Sequence, residues 1–233
     1  MKCPVCQRET AIKFDVIEET GEIEWNICMC QTMFHSKFLD KKFFGKLYLK
    51  HWQNMADMKE RFEYLQRTYI PIIEEGTYGR KFLDVGFTLP YGIDYLKNRG
   101  WITTGIDLVP NDRIQGDFET FKFPEKLDYI HMGHCLESFH DPVKALQKAY
   151  RLLNYNGFLL ITHPNPEMIF EIGLPNFGHW NYRQSRIFIS KNSLEDIARR
   201  AGFDIVMSYR NISQRFVMHN DLHLLLQRKT ECL

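Results

Sequence analysis

From Lys81 onward, short apolar runs alternate with segments of helical period. "KFLDV" predicts a first strand, and "GIDYLKNRG" a helix closed by Gly100. "ITTGIDL", "RIQGDF" and "LDYIHMG" predict the second, third and fourth strands. "DPVKALQKAYRLLN" has helical period, with Asp141 as its N-cap and Pro142 in its first turn. Asn156-Gly157 then turns the chain into "FLLITHP", a fifth strand. "SKNSLEDIARRAG" is a helix capped by Ser190 or Asn192 and stopped by Gly202. "FDIVMSYR" and "HNDLHLLLQRK" predict two final strands. Such alternation predicts an α/β fold with a Rossmann-like, doubly wound, mostly parallel sheet.

Two other patterns precede this one. In "AIKFDVIEETGEIEWNIC", alternating runs around Thr20-Gly21 predict a β-hairpin. From Asp40 to about Glu75, Phe43, Phe44, Leu47, Trp52, Met55, Met58, Phe62, Leu65 and Ile72 recur at three-to-four spacing, which predicts helix. Pro71 is expected to end or bend it, and Gly76 and Gly79 mark the loop beyond. The expected division is a hairpin module over residues 1–36, a helical connector over 37–78 and a Rossmann-like domain over 79–233.

Composition narrows the classes. A chain of 233 residues holds one sizeable α/β domain and a small appendage. Its net charge of +1 gives no general attraction to nucleic acid or anionic membrane. No apolar run approaches the ~20 residues that span a bilayer. Met1-Lys2-Cys3-Pro4 carries no apolar signal core, so a cytoplasmic protein is expected.

Cysteine use is lopsided: Cys3, Cys6, Cys28 and Cys30 flank the hairpin, whereas Cys135 and Cys232 stand alone. In a reducing compartment such a cluster points to metal rather than disulfides. The pairs resemble a zinc ribbon, and the four thiols make a tetrahedral Zn²⁺ site. A hairpin this small has little core, so metal would supply its folding energy. The second pair has one spacer where two are usual. Either both cysteines bind, or His35 replaces one of them. Four protein ligands leave no open position for catalysis.

Ligands of open α/β sheets bind at the carboxyl ends of the strands. Asp84 and Gly86 follow the first predicted strand, Asp107 ends the second, Asp117 ends the third, and Gly133 and His134 follow the fourth. Gly86 lets backbone approach a ligand closely. An acid at the second strand end can take both hydroxyls of a ribose. Asp117 can accept from an adenine amino group, with Phe118 covering a ring face. On "LDVG", "GIDL", "GDFE", "LDYIHMGHCLESFHDP", "LLNYNGFLLITHPNP" and "SLEDIARRAGFDIV", the chain resembles class I S-adenosylmethionine-dependent methyltransferases over about Lys81 to Lys229. Leu136-Glu137-Ser138-Phe139-His140-Asp141-Pro142 stands where that family commonly has Leu-Glu-His-x-x-Asp-Pro. The resemblance implies a seven-stranded sheet with an antiparallel last strand. It also implies S-adenosylmethionine held by Asp84, Gly86, Asp107, Leu108, Asp117, Phe118 and Gly133.

Two departures mark the chain. Thr88 and Pro90 stand where the family's loop usually has glycine. Between Asp107 and Asp117 the crossover helix is absent or reduced to a loop. For an acceptor that must lose a proton, His134 and His163 match the rim of the site. The aromatic-rich segment "PNPEMIFEIGLPNFGHWNYRQSRIF" reads as a lid or substrate wall, with His179, Trp180 and Tyr182 as acceptor contacts. "HSKFLDKKFFGKLYLKHW" beside a zinc ribbon resembles some ribosomal-RNA guanine methyltransferases. Its spacing fits core better than base stacking, and the charge balance is unlike that of nucleic-acid binders. "HMGHCLE" lacks the Asn/Asp-Pro-Pro-aromatic motif of base-amine methylation, and Cys135 lacks the Pro that precedes a cytosine-C5 nucleophile. A further resemblance is to nucleotide-sugar methyltransferases with N-terminal zinc modules. The expected acceptor is a small or sugar-like molecule. The alternatives are RNA, or a non-catalytic zinc-containing interaction module.

Overall fold

The computed structural model describes residues 1–10, 12–18, 21–35, 58–87, 89–109, 112–177, 185–210 and 221–229. Phe43, Phe44, Leu47, Trp52 and Met55 of the expected connector lie outside these residues, as do Thr88, His179, Trp180, Tyr182 and Cys232.

The seven-stranded sheet consists of β4 (Lys81–Val85), β5 (Ile102–Asp107), β6 (Ile114–Gln115), β7 (Leu127–Gly133), β8 (Leu153–Pro164), β10 (Phe203–Arg210) and β11 (Asp221–Arg228). Its order is β10-β11-β8-β7-β4-β5-β6. β11 runs antiparallel to both neighbours, and the remaining pairs are parallel. Strand order reverses at β4, between β5 and β7. That reversal opens a crevice at the carboxyl ends, the place where open α/β sheets hold ligands.

Period-two alternation sends Phe82 and Tyr129 to one face, and Leu83 and Ile130 to the other. The first face is covered by α1 (Met58–Gly76) and α2 (Tyr91–Lys97), with Tyr69, Ile70, Ile73, Ile93 and Leu96 buried. The second is covered by α3 (Pro142–Leu152) and α5 (Lys191–Arg200), with Leu146, Ala149, Leu194 and Ile197 buried. α1 runs through Pro71 to Gly76 rather than ending there. Pro71 faces solvent, and burial of Tyr69, Ile70 and Ile73 on either side of it outweighs one lost helix bond. Between β5 and β6, residues 108–113 carry no helix among the described positions. No described helix is long and apolar enough to cross a membrane.

Both expected caps form. Ser190 accepts from the Ser193 amide, and Asp141 Oδ1 accepts from the Lys144 amide at 2.9 Å. Asp141→Ala is therefore expected to cost about 1 kcal/mol in urea denaturation, because the first turn of α3 loses its acceptor. A cost near zero would show that water replaces it.

The hairpin is β1 (Ile12–Glu18) with β2 (Gly21–Ile27), to which β3 (Met33–His35) adds antiparallel. The fourth strand of this sheet is β9 (Ile187–Phe188), contributed from beyond β8. Between β8 and β9 lie the short α4 (Met168–Ile172) and a 3₁₀ turn over Leu174–Asn176. Trp25, Met33, Phe177 and Phe188 form the small sheet's own apolar core.

Candidate functional site

Three of the strand-end acids occupy different surroundings. Asp84, in β4, is buried, and its Oδ1 lies 2.9 Å from Nδ1 of the equally buried His131 in β7. Parallel register sets the two opposite one another. Asp107 ends β5 half-exposed, with Oδ1 accepting from the Val109 amide at 2.9 Å. Leu108 beside it faces outward. Asp117 follows β6, and its Oδ1 accepts from the Glu119 amide at 3.0 Å. Each of these two turns is an Asx-type turn, which fixes its carboxylate. Phe118 points inward and stacks on Phe139 with centroids 5.9 Å apart. Lys148 Nζ ties the same turn down by donating to the carbonyls of Phe118 and Phe121.

The loop after β4 keeps one obligatory glycine. Gly86 has φ +71°, and a Cβ there would lie 2.8 Å from Cys135 Cβ. Pro90 occupies the N-cap of α2, where its missing N–H is no loss, and its carbonyl accepts from the Asp94 amide. Gly133 ends β7 beneath the His131 ring; a Cβ there would lie 2.7 Å from His131 Cε1.

Three polar atoms on this edge are buried without any partner: Asp84 Oδ2, His131 Nε2 and Gln66 Nε2. Gln66 comes from α1, and its Oε1 accepts from the Tyr129 hydroxyl at 3.1 Å. Buried polar groups are nearly always satisfied, so three orphans on one edge mark a place built for something polar.

The histidines separate by exposure. His134 has φ 49°, a strained value for a side-chain-bearing residue, held by its amide donating to the Thr162 carbonyl. Its Nε2 lies 3.2 Å from Asp221 Oδ2, and Arg61 Nη2 lies 2.8 Å from the same oxygen. His163 is fully buried, and its Nε2 accepts from the Ile189 amide at 2.9 Å. Its Nδ1 faces Glu137 Oε2 at 3.4 Å. Burial opposes the Glu137 charge, but His163 beside it prevails and holds that carboxyl below its usual range. His163 thus ties β8 to β9 and Glu137, away from solvent. Sequence reasoning missed Gln66, His131 and Asp221. A histidine inside "LDYIHMG" and an acid opening "DLHLLLQR" were the available signals, since each interrupts a run buried on both faces.

A family model described as a methyltransferase domain matches residues 51–208. The chain belongs to the class I S-adenosylmethionine-dependent methyltransferases. Three solved structures are similar to it. Burkholderia thailandensis 1,6-didemethyltoxoflavin-N1-methyltransferase, with bound 1,6-didemethyltoxoflavin and S-adenosylhomocysteine, has 13% identity and TM-score 0.59, covering 94% of this chain and 100% of that one. The N-methyltransferase NodS from Bradyrhizobium japonicum WM9, in complex with S-adenosylhomocysteine, has 14% identity and TM-score 0.57, covering 79% and 98%. The CcbJ methyltransferase from Streptomyces caelestis has 10% identity and TM-score 0.59, covering 82% and 100%. At these identities the likeness carries the fold alone. No curated protein matches the sequence.

This methyltransferase also carries the N-terminal cysteines as one cluster. The sulfurs of Cys3, Cys6, Cys28 and Cys30 all lie within 4.8 Å of one another. Cys3 and Cys30 are 3.7 Å apart, and Cys6 and Cys28 are 3.3 Å apart. Tetrahedral zinc with bonds of about 2.3 Å places its sulfurs about 3.8 Å apart, so the set fits the ion. The two knuckles are alike despite unequal spacing. Gln7 after the first pair and Gln31 after the second both have positive φ, and each amide donates back to the first cysteine's carbonyl. One residue fewer therefore tightens the second turn without moving its sulfurs away. Cys3 and Cys30 share a hydrogen bond, which pushes the Cys30 thiol down to about 4 and the Cys3 thiol well up. A thiolate is the form that ligates metal. His35 lies elsewhere, its Nε2 3.2 Å from the Ser185 carbonyl oxygen and its ring against Trp25.

Proposed function

We propose that this methyltransferase is active, and that it transfers a methyl group from S-adenosylmethionine to a small-molecule or sugar-like acceptor. The observation that carries this reading is the orphaned polar set of Asp84, His131 and Gln66 on the carboxyl edge. In a scaffold that had lost its ligand, such atoms would cost stability with no return. Asp84 with the Gly86 backbone would hold the methionine part of the donor. Asp107 beside Leu108 would take the ribose hydroxyls, and Asp117 the adenine amino group. Phe118 would support the Asp117 turn from below, and Gly133 would give close backbone approach from β7.

The donor supplies a methyl group already activated on a sulfonium, so the protein's main task is alignment. His134 is the residue that would take a proton from the acceptor. Asp221 holds its ring and would stabilise the imidazolium. His163, sealed in the interior, would position the Ile189 amide that follows β9, and His179, outside the described residues, keeps the acceptor-contact role that the sequence suggests. The cysteine cluster would hold one structural zinc. A near-neutral chain and an acceptor-bound small-molecule methyltransferase among similar folds favour a small acceptor over RNA.

Calorimetric titration with S-adenosylmethionine and S-adenosylhomocysteine tests the reading; micromolar binding is expected. Asp107→Ala should then weaken binding about tenfold or more, as charge-assisted bonds to the ribose are lost. Unchanged affinity in that variant would place the ribose elsewhere. No binding to folded wild type would leave the interaction-module reading.

A further inference from the structure

Lys148 of α3 directs its ammonium into a single turn, the one that carries Asp117. Its Nζ lies 2.5 Å from the Phe118 carbonyl oxygen, 2.5 Å from that of Phe121 and 3.3 Å from that of Glu119. An ammonium has three donors and no acceptor, so these carbonyls complete its hydrogen bonding. It also stands 5.2 Å from the Phe118 ring centre and 5.6 Å from that of Phe123. Burial disfavours its charge, and the carboxylates of Asp117 and Glu119 oppose that effect.

A second tie holds the same turn. Glu119 Oε2 accepts from the His140 amide at 3.0 Å, and its Oε1 from the Asp141 amide at 2.9 Å. Both ties therefore run to α3 or to its cap. The sheet gives the turn little support of its own. β6 has two residues, lies at the sheet edge and pairs with β5 alone. Residues 108–113 ahead of it carry no helix among the described positions. Within the turn, the Glu119 amide donates to Asp117 Oδ1 at 3.0 Å and the Phe121 amide to the Asp117 carbonyl at 2.8 Å. A tilt of the turn thus carries the Asp117 carboxylate with it.

We infer that Lys148 is a positioning residue for the donor's base: by tying the Phe118, Glu119 and Phe121 carbonyls to α3, it holds Asp117 where the carboxylate tells an amino group from an oxo group. Glu119 serves the same end through the α3 cap. A fixed carboxylate accepts from an amino group and meets an oxo group with like polarity, whereas one free to drift tolerates both. This rests on the donor-binding reading above. It gives α3 a part in specificity besides covering the sheet.

The test compares S-adenosylhomocysteine with S-inosylhomocysteine, in which an oxo group replaces the 6-amino group of the base. Binding is read by calorimetry, and by ligand-observed NMR where it is weak. Wild type should bind the first about tenfold tighter or more. Lys148→Met keeps an unbranched apolar stem and removes the charge. It should lose about tenfold in S-adenosylhomocysteine affinity with S-inosylhomocysteine binding unchanged, so that the preference collapses. Lys148→Arg, which keeps charge and donors, should restore most of the preference. Glu119→Ala releases the turn by the second tie and should lower the preference too, which gives a second route if Lys148→Met does not fold. A preference unchanged in the folded variants, or equal losses for both ligands, would overturn the inference and leave donor binding standing. Wild type that binds both ligands equally would move the base away from Asp117 and overturn it as well. Failure of wild type to bind either ligand would defeat the donor reading and this one together.

Discussion

Stripping metal from the cysteine cluster is expected to melt the β1–β2–β3 sheet and lower the melting temperature of the whole chain. The small sheet has few apolar contacts of its own, with Ile23, Trp25, Met33, Phe177 and Phe188 as its buried centre. Modules of this size rarely fold on their core alone. The cysteine pairs fix both ends of the hairpin, and binding free energy at such sites is on the order of 10–16 kcal/mol in isolated zinc peptides. Here the loss would not stay local. Cys3, Val5, Cys28 and Phe34 pack into the same apolar cluster as α5 and the large sheet. The Cys30 carbonyl accepts from both Ser190 and Ser193 hydroxyls, one the cap and the other the first turn of α5. Loosening the knuckles therefore frees the start of α5 as well.

Elemental analysis should find about one zinc per folded chain, as four thiols saturate a tetrahedral ion. A strong chelator should then abolish amide-exchange protection in β1 and β2. Cys28→Ser should reproduce that loss without chelator, since it removes one ligand and leaves three. A folded, metal-free protein whose β1 and β2 amides stay protected would rule out the metal role. It would leave the four thiols as buried apolar packing around the knuckles.

What could be read from the sequence follows from which forces are local. Strands β4, β5, β7, β8, β10 and β11 declare themselves through apolar runs, and the caps at Asp141 and Ser190 through a single residue type before a helix. Those signals need no partner to be recognised. The sheet order and the antiparallel β11 came through resemblance, because pairing across the sheet leaves no local mark. β9 was not legible: two residues, Ile187 and Phe188, become a strand only because Phe34 and Met33 offer them an edge. Whether α1 would end at Pro71 or continue past it was not legible either, since tertiary burial decides it. Within the site, Asp84, Asp107 and Asp117 stood out by position at strand ends. Gln66 did not, because its place in the site depends on Tyr129, which is distant in the chain. His163 looked like a rim residue by position, whereas the Ile189 amide just after β9 takes up one of its nitrogens and Glu137 faces the other.

Acidification from neutral pH toward pH 4 is expected to destabilise the protein by about 3 kcal/mol through His223 alone. This histidine is buried in β11, and burial pushes its imidazole down from 6.5 to about 4, with Asp221 opposing the effect and the Arg61 guanidinium adding to it. Its Nδ1 lies 2.8 Å from the Tyr69 hydroxyl, whose oxygen is in turn 2.5 Å from that of Tyr209. Tyr69 has one proton. It goes to Tyr209, so in the neutral imidazole the His223 Nδ1–H donates to the Tyr69 oxygen and the second nitrogen stays bare in the interior. The unfolded chain binds a proton at His223 below about pH 6.5, whereas the folded chain resists it until about pH 4. Between those values the unfolded state holds more protons, so stability falls as pH falls. Above pH 6.5 both states are neutral at this site and the contribution is flat. Urea denaturation at half-unit steps from pH 7 to pH 4 should show this slope. His223→Gln, which keeps an amide N–H to donate to Tyr69, should flatten it by roughly one proton's worth. The same slope in wild type and variant would mean that the acid sensitivity lies in other groups and that protonated His223 is accommodated in the fold.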